Sequence, residues 1–232
     1  MLVAVLAAMS SELRPFVRAA GLQRTGEHYG GQLGGHEIVA TTMGVGMTRA
    51  AKSTEEVLGS RAIDRLVVIG IAGGIDTTLP IGHVVTPEVI VDGETGVEYR
   101  PSGWAPVEPQ GRLVTYNEFQ TELEAMTQLQ RDGFTVVDME TAAVAAVCER
   151  SGCVYSVFRA ISDNATDGSV DAAIAGLLQP DGTTDRRAAL RYVLRQPWRI
   201  PHLARLGRDS QRASRAAAAA AIRALQESAE PA

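Results

Sequence analysis

Lysine is almost missing from this chain: of 22 basic residues only Lys52 is a lysine, a bias towards arginine that by itself names no partner. Aromatic residues make up only 5%, and nowhere do they interleave with basic residues as in single-strand nucleic-acid binders. With a formal net charge of −5, no nucleic-acid partner is expected. Cysteine is limited to Cys148 and Cys153, five apart among apolar neighbours. They read as reduced thiols in a cytoplasmic protein, and with no histidine cluster beside them neither a metal site nor another cofactor is expected. No apolar run approaches the roughly 18 residues of a transmembrane helix; the alanine run from Ala216 to Ala221 is too short and too weakly apolar. The opening MLVAVLAAMSSELRPF lacks a basic segment before its apolar run and reads as a buried strand, not a signal peptide.

What is present is enough for one sizeable core: 232 residues, 45% of them hydrophobic. Charge is unevenly spread. Residues 1–180 hold 12 Lys and Arg against 22 Asp and Glu, whereas residues 181–232 hold 10 Arg against 5 acids. The expected organisation is a catalytic domain over 1–180 and a basic helical extension over 181–232 packed on it.

Apolar runs predict strands at 2–8, 36–43, 66–72, 83–91, 135–138 and 154–161, with a short strand at 30–33 forming a hairpin across Gly34 and Gly35. Helical spacing predicts helices at 11–20, 47–58, 118–131, 139–151, 170–178, 186–196 and 202–226. Residues 92–111 read as a Gly/Pro-rich loop or short hairpin. Strands alternating with helices argue an α/β sheet sandwiched by helices.

The segment from Phe134 to Asp167 places Glu140 and Asp163 at the exits of two strands expected to be adjacent, where open α/β sheets bind ligands. Either acid alone could be a cap. Gly70, Gly73 and Gly74 would let backbone approach a ligand closely, and Gly44 and Gly46 would open the helix at Met47 with N–H groups aimed at an anion or water.

DMETAAVAAVC at 138–148 followed by FRAISD at 158–163 resembles the signature of the purine nucleoside phosphorylase and methylthioadenosine/S-adenosylhomocysteine nucleosidase superfamily. VAVLAAMSSE, TTMGVGMTRAA and VVIGIAGGIDTTLPIGHVV match in the same order, so the resemblance spans residues 1–175. It implies a three-layer α/β/α sandwich with a central twisted mixed sheet, and cleavage of a purine N-glycosidic bond. By this resemblance Asp163 protonates purine N7 with a pKa raised by burial, Ala160, Ile161 and Ala165 being its apolar walls. Glu140 accepts the ribose hydroxyls, Met139 packs on the sugar, and Glu12 activates water. Met9, Ala72, Gly73 and Ser162 join the substrate site, and Phe119 stacks on the base; as an isolated aromatic Phe119 would more often be core.

Phosphorylases of the superfamily hold phosphate with an Arg and a Ser or Thr where this chain has Val68 and Ile71, which favours water as nucleophile. Arg14, Gly46 and Arg49 are the alternative candidates for holding phosphate as co-substrate. The tail after Pro180 resembles the hopanoid-associated branch, implying adenosylhopane phosphorolysis as an alternative; weak membrane-surface association of the basic tail is a further reading. The resemblance also implies a homodimer. A catalytically silent nucleoside-binding protein is the rival from another class.

Overall fold

A computed structural model describes residues 1–104, 107–118, 120, 122–165 and 196–227. The expected helices at 170–178 and 186–196, and Phe119, lie outside the described residues.

The strands are β1 (Leu2–Ala7), β2 (Gln23–Thr25), β3 (His28–Leu33), β4 (His36–Thr42), β5 (Arg65–Gly74), β6 (Val84–Val85), β7 (Val89–Asp92), β8 (Glu98–Tyr99), β9 (Arg112–Thr115), β10 (Val136–Asp138) and β11 (Val154–Asn164). The helices are α1 (Ser10–Ala19), α2 (Met47–Ser60), α3 (Leu123–Arg131), α4 (Thr141–Ser151) and α5 (Ile200–Glu227). The sheet runs β2-β3-β4-β1-β5-β10-β9-β7-β8, with β11 along the other edge of β5 and β6 beyond it. It is mixed: β1 is parallel to β4 and β5, and β11 to β5, whereas β10 meets β5 antiparallel.

Alternation along the central strands builds the layers. From β1, Val3, Val5 and Ala7 point to one face with Val67 and Ile69 of β5, where Leu13 and Phe16 of α1 and Ala221, Ala224 and Leu225 of α5 cover them. Ala4 and Leu6 point to the other face with Leu66 and Val68, under Ala50 of α2 and Val144, Ala145 and Cys148 of α4. Helix α5 packs by a stripe of alanines, Ala213, Ala217, Ala221 and Ala224, whose small side chains let it lie close to the sheet and α1.

The hairpin across Gly34 and Gly35 forms as expected, both residues having positive φ (55° and 71°), as a tight primed turn requires. Gly34 is also required by packing, since a Cβ there would collide with the Leu225 carbonyl of α5. Three expectations change. The strand expected over 83–91 is two, β6 and β7, divided around Pro87, which has no N–H to donate. The helix expected from 118 begins at Leu123. Strands β2 and β9 were not expected, whereas β8 pairs with β7 as the short hairpin that was one reading of residues 92–111; β2 has three residues, too short for a periodic signal.

Candidate active site

The C-terminal half of β5 organises the site. Its first half pairs with β1 through Val68, and its last two residues, Gly73 and Gly74, pair with β10, while β11 follows the other edge throughout. Glu140 and Asp163 therefore do not lie on adjacent strands as expected; they flank β5 from opposite sides. Glycine is needed at this junction: a Cβ on Gly73 would press on Val137 and Ala165 at 3.2 and 3.3 Å, and one on Gly74 on Ile161 at 2.9 Å.

Asp163 gains its position from an irregularity. The register steps from Ile161 opposite Ala72 to Asp163 opposite Gly73, leaving Ser162 as the extra residue. Such bulges re-aim side chains, and here Ser162 and Asp163 both line the cavity described below. The Ser162 hydroxyl lies 2.5 Å from Asp163 Oδ1 and 3.3 Å from the Ala72 carbonyl. Asp163 is only half-buried; Ile161 and Ala165 line the cavities beside it, whereas Ala160 packs against Ala213 and Ala217 of α5 and is not among their described lining residues.

Glu12 sits in the first turn of α1, 2% exposed. Its Oε2 accepts from the Met9 N–H (2.9 Å) and its Oε1 from the Ile71 N–H (3.1 Å), fixing the carboxylate between α1 and β5. Burial pushes its pKa above the ordinary value against the pull of Arg159 and of these two donors. Glu140 occupies the position before α4 but makes no side-chain cap. Its Oε1 accepts from the Gly46 N–H at 3.0 Å and its Oε2 from Arg159 Nη2 at 3.2 Å. Capping of α4 falls to Asp138, which accepts from the Thr141 N–H at 3.3 Å. Burial raises Glu140 to about 7, outweighing Arg159.

Sequence reasoning passed over Arg159. Fully buried in β11, it pairs with Asp138 (2.5 Å) and Glu140 (3.2 Å), and its Nη1 donates to the Ile71 carbonyl at 3.4 Å. Burial works against its charge, but Asp138, Glu140 and Glu12 outweigh that and raise its pKa. A Cβ on Gly70 would collide with this guanidinium and lie 3.1 Å from Glu12 Oε1, so glycine there makes room for both groups. The signal was legible: an arginine in the middle of an apolar strand run must find buried acids. Thr115, which donates to Asp138 at 2.6 Å, was missed as well and carried no comparable signal.

One cavity of about 140 Å³ gathers Met9, Glu12, Ala72, Gly73, Met139, Glu140, Ser162 and Asp163. A second, of about 300 Å³, adjoins it at Ser162 and Asp163 and extends to Arg205, Leu206 and Asp209 of α5. The candidate phosphate ligands are not brought in. Arg14 faces away into a groove between α1 and α5, Arg49 is exposed beside Gly44, and the Gly46 N–H is taken by Glu140. Acids line the smaller cavity, Glu118 and Asp138 joining Glu12, Glu140 and Asp163, and its described lining includes no basic residue.

The fold is an α/β/α sandwich with a cavity at the carboxyl ends of central strands, where open α/β sheets place ligands. The chain belongs to the phosphorylase superfamily, whose family model matches residues 2–110 and 102–191. It is 28% identical over 197 residues to a 5′-methylthioadenosine/S-adenosylhomocysteine nucleosidase of Chromohalobacter salexigens, covering 69% of this chain and 83% of the relative. Among solved structures, the nucleosidase of the same description from Helicobacter pylori aligns with a TM-score of 0.72 at 17% identity, covering 98% of each chain. Futalosine hydrolase of Helicobacter pylori aligns with a TM-score of 0.71, also at 17% identity and 98% of each chain. These structural likenesses speak for the fold.

Proposed function

We propose that this protein hydrolyses the N-glycosidic bond of a purine nucleoside, an adenosine substituted at its 5′ position, and releases the free base. The observation that carries the choice of water over phosphate is the cavity's described lining, which includes no basic residue to hold phosphate. Relatives named as nucleosidases support the same choice and the 5′-substituted substrate. The adenosylhopane alternative gains no support from them.

In this reading the C1′–N9 bond breaks as water attacks C1′, placing positive charge on the sugar and negative charge on the departing base. Glu12, held by the Met9 and Ile71 N–H groups and made more basic by burial, takes the water's proton. Asp163 gives a proton to N7 so that the base leaves neutral. Glu140, anchored by Gly46 and Arg159, accepts the ribose hydroxyls with its remaining lone pairs. Met9 and Met139 contribute half-buried apolar surface beside the sugar. The two free thiols fit a cytoplasmic setting. A homodimer, implied by the resemblance, is checked by light scattering.

The test is the sugar product. Base release from methylthioadenosine should proceed in phosphate-free buffer, yield a free sugar, and fall by about 10²-fold or more in Glu12→Gln. Stoichiometric sugar phosphate would overturn the assignment.

A further inference from the structure

Helix α1 carries opposite chemistry on its two sides. Glu12 and Leu13 are buried, whereas Arg14 and Arg18 are exposed and face α5, which presents Arg215 and Arg223 towards them. All four arginines line one groove of about 770 Å³. Pro15, Ala218 and Ile222 contribute its apolar surface, and no Asp or Glu is among its described lining residues. Some other surface arginines have acidic partners: Arg100 and Arg112 pair with Glu98, and Arg150 with Glu55. None of the four in the groove makes an ion pair or hydrogen bond with a described residue.

Four like charges around one concavity repel one another, and an anion bound between them removes that repulsion. Arg215 and Arg223 are eight residues apart, about 12 Å along the helix, and Arg14 and Arg18 about 6 Å. A ligand with a single small anionic group meets only part of this array, whereas one with several meets all of it. Guanidinium forks match phosphoryl oxygens in pairs. We propose that the groove between α1 and α5 binds a ligand carrying two or more phosphoryl groups, at a site separate from the carboxylate cavity. A soluble oligophosphate and a cluster of phospholipid headgroups share this chemistry.

Calorimetry with inorganic tripolyphosphate at low salt tests it. Binding should weaken about tenfold or more, close to 1.4 kcal/mol per decade, in the double variant Arg215→Ala/Arg223→Ala, and should weaken with added salt. Arg14→Ala/Arg18→Ala supplies the same test from the other wall, with circular dichroism checking that each variant is folded. A parallel arm measures sedimentation with phosphatidylcholine vesicles with and without phosphatidylglycerol. Tripolyphosphate binding lost in the variants supports a soluble ligand, and binding only to the anionic vesicles, lost in the same variants, supports headgroups. Absence of both, binding that the substitutions leave intact, or only a self-association that they abolish, would overturn the proposal.

Discussion

Two residues of α1 separate the two charged regions of this molecule. Glu12 enters a buried cluster in which Asp138 and Glu140 surround Arg159; Arg14 enters an open groove with three other arginines and, among its described lining residues, no acid. The excess charge has opposite fates. In the cluster, burial makes uncompensated charge so costly that the Glu12 and Glu140 carboxyl pKa values rise, that of Glu140 to about 7, which lets it exchange a proton near neutrality. In the groove each guanidinium is exposed to water and available to an anion.

The strongest way to break this comparison is to remove the central cation. Arg159→Leu should destabilise the protein by about 3–5 kcal/mol, since it leaves Asp138 and Glu140 buried without their partner. Denaturant melts would measure this, and a loss near zero would show that the cluster is hydrated. Next comes leaving-group activation. Asp163→Asn should lower kcat by about 10²-fold or more while base binding persists, and near-normal turnover would remove Asp163 from the proton path.

The smallest effect sharpens the contrast. Glu140→Gln should weaken ribosides by roughly 1.5–3 kcal/mol more than 2′,3′-dideoxy analogues, and equal losses would make Glu140 a purely structural residue. The same variant reports on pH. Between about 4.5 and 7 the folded protein keeps on Glu140 a proton that the unfolded chain has released, so this group makes stability fall as pH rises through that window. Thermal melts from pH 4 to 8 should show that fall flattened in Glu140→Gln.

The glycine pair at 34–35 and the period-two apolar runs of β1, β4 and β5 were legible because turn chemistry and alternation are local. The short strands were not, because two or three residues acquire strand geometry from their partners. Arg159 left a trace in its apolar surroundings, but which acids it would meet depended on β5 lying between β10 and β11.

By itself the sequence determined the α/β alternation, the motif order, and the chemical types available at strand ends, since these follow from local periodicity and residue chemistry. Only the tertiary structure decided that Glu140 and Asp163 face each other across β5, that a bulge at Ser162 re-aims Asp163, and that Arg14 turns away from the cavity. The reason is that register and helix rotation are set by packing of distant segments, Ala221 and Ala224 of α5 against Leu13 and Phe16 of α1 among them, and no local pattern encodes which face a single side chain will find.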